Sequence, residues 1–316
     1  MGLFAALRLE RTMMTLTTRQ RWATGAALFA VLGATLAACA APGTTPTEEP
    51  DDTAPAWTAE FSQDAADLLP TSVTDAGVLR FGGEAGRAPF RFVNESGEID
   101  GIERDMGEAI GIILGVEVQY DEVAGLAPTL LALSSERIDV AFGPFLPNPD
   151  RQKDYDYVNF MLNTQSILTL SDDDSVEELP SDLCGREVSL LENSPSAGYL
   201  TAASEACVAA GEEAIVQAPV ATQEALILGL LSGRSEVAAS ASPVANYAAE
   251  QNPELRSLQD EARLNTLGSL TSKLRPELGE ALFAAFEELY SSGAYDAIMA
   301  KWGQEEATID EPSRLD

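Results

Sequence analysis

The chain of 316 residues carries 51 Asp and Glu against 19 Lys and Arg, a net charge of −32, with three cysteines and no histidine. The lack of histidine excludes a Ser-His-Asp triad, a Cys-His pair and any His-ligated zinc or copper site, and the acidity opposes nucleic acid as a partner because phosphate backbones are repelled. With 45% hydrophobic residues the chain can bury a substantial core, as one large domain or two smaller ones.

Arg8, Arg11, Arg19 and Arg21 precede a run of small apolar residues from Ala23 to Ala38. The run is short for a membrane span and suits the core of a signal peptide, so residues 1–38 are expected to be removed on export. It ends in Leu36-Ala37-Ala38-Cys39, which resembles the lipobox of bacterial lipoproteins. That resemblance implies a diacylglyceryl group on Cys39 and a mature protein held by lipid at the outer face of the cell membrane. Residues 39–72 follow as the lipidated cysteine and a disordered tether; as far as about Ala56 they are rich in Pro, Thr and acids and have little to bury.

From Val73 onward, β-rich runs alternate with helical patterns. Strands are expected at Val78–Phe81, Val116–Tyr120 and Ile138–Phe142, with helices over Asp105–Leu114 and around Pro128–Ser134. A second series has strands near Ser166–Leu170, Val188–Leu191, Ala214–Gln217 and Val237–Ser240, and helices near Ser196–Ala210 and Thr222–Leu231. Thr222 is placed to cap the latter helix and Gly233 to end it. The C-terminal part returns to helices, one starting at Pro276 and stopping at Gly293, another over Ala294–Trp302. The pattern is that of βαβ units around a mostly parallel sheet, and no internal repeat of fixed period is visible.

Cys184 and Cys207 flank a predicted strand and helix. In an oxidising compartment a disulfide is the simplest reading, with two buried free thiols the alternative. The interrupted sheet series suggests an α/β, two-lobed architecture in which a discontinuous first lobe (73–164 and 243–306) receives an inserted second lobe (165–242). The chain would cross near Asn163–Ser166 and Ala241–Ala245, and residues 307–316 form a tail. Ligands in such folds collect at strand C-termini, so a cleft between two sheet edges is the expected site.

Gly77-Val78-Leu79-Arg80-Phe81-Gly82, Ala88-Pro89-Phe90, Gly97 and Gly101-Ile102-Glu103-Arg104-Asp105-Met106 resemble the opening of family 3 bacterial extracellular solute-binding proteins. Ile138-Asp139-Val140-Ala141 leading to Arg151, the stretch Asp182–Val188, and Gly293-Ala294-Tyr295 to Lys301-Trp302-Gly303 continue the match over about residues 73–303. The resemblance implies a periplasmic-binding-protein-like fold of type 2 and a non-enzymatic, monomeric receptor without a cofactor. It would close around an amino acid or related small carboxylate and pass it to an ABC permease. The Cys184/Cys207 pair also looks like a feature of lipid-anchored members.

By the same resemblance Arg151 grips the ligand carboxylate, which suits a planar guanidinium offering two parallel N–H donors; the alternative is a surface arginine paired with Asp150 or Asp154. Gly143, Pro144 and Leu146 stand where the family supplies backbone and hydroxyl contacts, although proline has neither hydroxyl nor N–H to give. Ser194 and Ser196 precede the helix of the second series, either as ligand contacts or as helix caps. The expected ammonium partner is missing: Ala241 stands where an Asp is usual, with Ser242 next. Glu84 is the candidate replacement, and Arg87, at a position often aromatic, would add a second cation and favour a ligand with more than one acidic group. Phe90 and Leu126 are the candidate apolar walls. Two other readings compete: a dehydratase-like enzyme of the same fold with Glu84 as its acid or base, and a ligand-sensing surface lipoprotein.

Overall fold

The structure, a computed structural model, describes residues 57–315; the expected signal peptide, Cys39 and the expected tether as far as Ala56 lie outside them, while the rest of that segment, 57–72, holds a helix, the start of another and the buried Trp57 and Leu69. Two short helices, α1 (Gln63–Ala66) and α2 (Thr71–Ala76), lead into strand β1 (Val78–Gly83). A turn and the two-residue strands β2 (Phe92–Val93) and β3 (Ile99–Asp100) precede α3 (Ile102–Leu114), β4 (Glu117–Glu122), α4 (Leu126–Ser134) and β5 (Val140–Phe145). Strand β6 (Tyr155–Leu170) opens a second series: β7 (Glu187–Leu191), α5 (Ser196–Ala210), β8 (Val216–Val220), α6 (Gln223–Leu231), β9 (Val237–Ala241) and α7 (Ser242–Gln251). The chain ends with β10 (Leu255–Ser272), α8 (Pro276–Ser291), α9 (Ala294–Lys301) and β11 (Ser313–Leu315).

These strands, apart from β2 and β3, form one sheet in the order β4-β1-β5-β10-β6-β9-β7-β8, with β11 added alongside β6. At each end three strands run parallel, and at the centre β6 and β10 run antiparallel to each other and to their outer neighbours β9 and β5. The sheet is therefore mixed, which corrects the mostly parallel expectation. The difference comes from two long strands. Only the Ser166–Leu170 end of β6 was expected, and β10 falls where helices were expected to resume. Both are covered on their two faces and carry polar residues inward, among them Asn159, Asn163 and Thr164 on β6 and Ser269 and Thr271 on β10, so neither shows the clean alternation of a half-exposed strand.

Helices α3, α8 and α9 cover one face of β1, β5 and β6. Phe81, Phe142, Phe160 and Phe286 stack there with ring centroids 5.0 to 6.2 Å apart. Full burial of each such ring contributes about 1.5–3 kcal/mol. Val123, Ala132, Leu133, Ile138, Tyr157 and Leu270 form a second cluster beside α4. In the second series α5 packs on Val188, Leu190 and Val237, while α6 and α7 pack on Leu168 and Ala238. The expected caps are present: Thr222 Oγ1 accepts from the Ala225 amide at 3.1 Å, Pro276 stands in the first turn of α8, and Gly293 takes positive φ before α9.

Carboxylates tie the C-terminal return to the first series. Asp139 accepts a bidentate pair from Arg80 at 2.9 and 2.8 Å and a third bond from Arg275 at 2.8 Å. Burial alone would raise the Asp139 pKa, but the bonds from the Arg80 side chain and amide and from Arg275 win and hold it below the usual carboxylate range. Asp105 accepts from Lys301 Nζ at 2.6 Å and Trp302 Nε1 at 2.7 Å, which explains why these motif residues occur together. A disulfide joins Cys184, before β7, to Cys207 in α5, with Cα atoms 5.6 Å apart.

Candidate functional site

The parallel strands β1 and β5 end side by side, and the loops that leave them carry the candidates of the first series. Gly86 and Arg87 both donate their amides to the Arg91 carbonyl, at 3.0 and 2.9 Å, and the Arg91 amide returns to the Arg87 carbonyl, so residues 86–91 form a closed turn. Glu84 is exposed and accepts from the Gly125 amide at 3.2 Å, which fastens this turn to the start of α4, where Leu126 is 46% exposed. Arg87 points outward, while Phe90 is 3% exposed inside the main core. Phe90 is thus a packing residue and not an open wall of the site.

Beneath the turn lies a pair that the sequence reading did not single out. Arg91, 1% exposed, meets Glu103 of α3 at 2.9 Å, and its guanidinium lies 5.4 Å from the centroid of the Tyr120 ring. The pair fills the space against the strand ends. A Cβ on Gly83 would come within 3.1 Å of Arg91 Nη1, and one on Gly143 within 3.4 Å of Glu103 Oε1 and 3.2 Å of the Phe145 ring. Burial pushes the Glu103 carboxyl up to about 7, against the opposing pull of Arg91 and Arg87. A charged residue between Phe90 and Phe92 was the signal available in the sequence; Glu103 stands in a charged first turn of α3 beside Arg104 and Asp105 and gives none.

Arg151 stands in the single 3₁₀ turn after β5, Arg151–Lys153, held by its own amide and that of Asp150 donating to Asn148 Oδ1 at 3.2 and 2.9 Å. Its side chain is half-buried and lies close enough to lower the Tyr157 pKa electrostatically, though burial dominates and raises it. Asp150 pairs with Lys153 at 2.7 Å instead. Among the described residues no hydrogen bond or ion pair engages the Arg151 guanidinium. Upstream of it Pro144 and Leu146 are half-buried; Leu146 lines an open cavity of about 460 Å³ with Pro147, Leu162, Asn265 and Thr266. A wider hollow of about 750 Å³ sits at the start of β4 beside Trp57, lined by Glu108 and Glu117 but no cation. It lies away from the strand C-termini and is not suited to a carboxylate.

In the second series Ser196 Oγ donates to Gln165 Oε1 at 2.7 Å, and Gln165 lies in register with Ala241 on one side and Asp260 on the other. Ser194 Oγ is enclosed and has no hydrogen-bond partner among the described residues. Neither serine caps α5, whose N-cap is Pro195, which removes the capping alternative. Ser242 Oγ, 2% exposed in its residue, accepts from the Thr164 amide at 3.0 Å and so fastens α7 to β6 inside the fold. Gln165 is the polar group at this end that sequence reasoning missed, hidden within a strand that was only half anticipated.

A family model for bacterial extracellular solute-binding proteins, family 3, matches residues 79–305. The chain belongs to this family. Its relatives include the arginine-binding protein ArgT of Corynebacterium glutamicum, 26% identical over 77% of this chain and 80% of that protein. The L-arginine-binding protein of Pseudomonas aeruginosa is 28% identical over 42% of this chain and 51% of its own. Among solved structures, an ancestral arginine-binding protein bound to arginine is 28% identical with a TM-score of 0.57, covering 72% of this chain and 98% of that one. An ancestral cationic amino acid solute-binding protein, at 22% identity and TM-score 0.62, shares the fold over 75% of this chain and 99% of its own. As a family 3 solute-binding protein the molecule has the α/β architecture of type 2 periplasmic amino-acid-binding proteins, and its named relatives are binding proteins.

Proposed function

We propose that the protein is the extracytoplasmic receptor of an ABC importer, held by lipid at Cys39, and that it captures an amino acid or a related small carboxylate between the two halves of the sheet. The halves act as lobes, bounded near residues 164/165 and 242/243, and the ligand-bound form is closed about β6 and β10. The observation that carries this reading is Arg151: a half-buried guanidinium after the C-terminal end of a parallel strand, unpaired among the described residues in a chain of net charge −32. Each charge-assisted bond to a ligand carboxylate in a desolvated cleft contributes on the order of 1.5–3 kcal/mol. The Gly143 carbonyl near the end of β5 and the Leu146 amide just after it support the ligand, and Ser194 serves it from the second lobe.

The test is a melting-temperature screen of the mature chain against amino acids, dicarboxylates and N-carboxyalkyl amino acids. A ligand at 100 times its dissociation constant stabilises the fold by about 2.7 kcal/mol. Arg151→Ala is expected to abolish that response with an unchanged melting temperature in the absence of ligand; an undiminished response rejects the site. Arg87 extends the same reading. If it forms a second anchor, Arg87→Ala loses affinity for diacids selectively, and equal affinities for mono- and diacids in both proteins would remove it from the site.

A further inference from the structure

The loop that carries Glu84 and Arg87 is fastened to the start of α3. The Ile102 and Glu103 amides donate to the carbonyls of Pro89 and Phe90, both at 2.9 Å. Gly101 takes φ 122° and lies so close beneath that a Cβ there would collide with the Phe90 carbonyl. At the same junction the side chain of Glu103, 2% exposed, meets Arg91 at 2.9 Å. The contact is poorly directed: Arg91 Nε and Nη2 and Glu103 Oε2 have no aligned hydrogen bond among the described residues. A buried ion pair left short of hydrogen bonds does not recover the cost of taking two charges out of water. A proton on Glu103 removes one of those charges.

The other charged groups around Glu103 are committed elsewhere or fixed in charge. From the turn it faces Arg91 and Arg87. From β4 it faces Tyr120, whose hydroxyl donates to the Arg104 carbonyl at 2.9 Å, and Glu122, which accepts the Ala85 amide at 3.0 and 3.2 Å. Strand β5 meets it with Gly143, which carries no charge. Strand β3 and helix α9 bring Asp100 and Lys301, one held on the Gly101 amide at 2.9 Å and the other on Asp105 at 2.6 Å. On α3 itself Arg104 pairs with Glu108 at 2.8 Å, and α8 packs on α3 through apolar side chains such as Leu282 and Phe286. The chain has no histidine, and among the described residues both cysteines are joined in the disulfide, so no side chain there titrates near neutrality at its ordinary value. Burial places Glu103 in that gap, at about 7.

We infer that Glu103 is a positioning residue that ties ligand capture to the surrounding pH: protonated, it lets the turn of residues 86–91 close on α3 and hold a carboxylate ligand, and ionised, it loosens that turn and lets the ligand go. Two effects act in the same direction. A charge on Glu103 favours any opening that returns it to water, and such an opening displaces Glu84 and Arg87 on the same loop. The charge also gives Arg87 and Arg91 a counter-ion, which weakens their pull on a ligand anion. This inference rests on the importer reading and adds the condition under which the receptor fills and empties.

The first measurement needs no ligand: amide hydrogen exchange by mass spectrometry over residues 84–92 of the full mature chain, corrected at each pH for the intrinsic exchange of an unstructured peptide. Between pH 5.5 and 8.5 the opening of this segment is expected to grow about 30-fold, the ratio set by a carboxyl at 7 when closed and 4.5 when open. Glu103→Gln is expected to flatten the profile. Arg91→Met is expected to move its midpoint to higher pH, because the pull that lowers Glu103 is gone; a side chain that merely filled space would do neither. A flat wild-type profile, the same profile in Glu103→Gln, or a midpoint unmoved in Arg91→Met overturns the inference. The second measurement is the melting screen with L-glutamate, L-aspartate and L-arginine at pH 5.5, 7 and 8.5. A Kd at least about tenfold weaker at pH 8.5 than at 5.5 in the wild type, and nearly constant in Glu103→Gln, supports the inference, and a response equal at all three pH values overturns it. A pH-dependent turn with no response to any of the three compounds leaves the coupling of Glu103 to the turn standing and removes these amino acids as ligands.

Discussion

Arg91, on the turn after β1, and Arg151, on the loop after the neighbouring β5, show two uses of one side chain. Arg91 is sealed in with Glu103, and Arg151 keeps its donors unoccupied among the described residues. The sequence made Arg151 legible because its place after a strand is a motif position, whereas Arg91 gave no such cue. Only the fold brings an arginine of the turn against an acid on the next helix. Because Glu103 is raised from the ordinary 4.5 to about 7, burial favours its protonated form. The stability this group contributes is therefore full below about pH 4.5 and is lost as pH rises through 7, a change on the order of 3 kcal/mol. Glu103→Gln is expected to remove that fall. The amide stands in for the protonated acid, so the two proteins are expected to differ least at pH 4.5 and the slope is the readout. Urea unfolding of both proteins at pH 4.5, 6 and 8 checks it, and parallel profiles would refute the buried titration.

At the scale of elements, helices and outer strands were readable because each shows one buried face; α5 and α6 start and stop within a residue of expectation. Strands β6 and β10 were not, since polar residues such as Asn163 and Thr164 are satisfied by neighbouring strands and turned inward. The disulfide was legible from its spacing and compartment. It closes a loop of sequence separation 23, for which chain entropy gives about 3 kcal/mol. The double variant Cys184→Ala with Cys207→Ala is expected to unfold that much more easily in urea, with α5 the first segment to gain amide exchange. A loss under about 1 kcal/mol would mean that packing of α5 on Val188, Leu190 and Val237 alone holds the unit.

For the whole molecule, charge and topology set the behaviour. A net charge of −32 destabilises the compact state by self-repulsion, which added salt screens. Melting temperature at pH 7.5 is accordingly expected to rise between 10 and 500 mM sodium chloride, and a fall would show that the ion pairs of Asp139, of Asp105 and of Asp156 with Arg314 (3.2 Å) outweigh the general repulsion.

The strand order also dictates a schedule. When the chain emerges N-terminus first, β7 and β8 can join β6 through β9 as soon as residue 241 has appeared, and both disulfide cysteines are already present. Strand β5 must wait with an open side until residues 255–272 arrive to bridge it to β6, and α3 lacks α8 and α9 until later still. The half made first is therefore finished last, and a chain cut short before Leu255 would export one mature half beside an unclosed one.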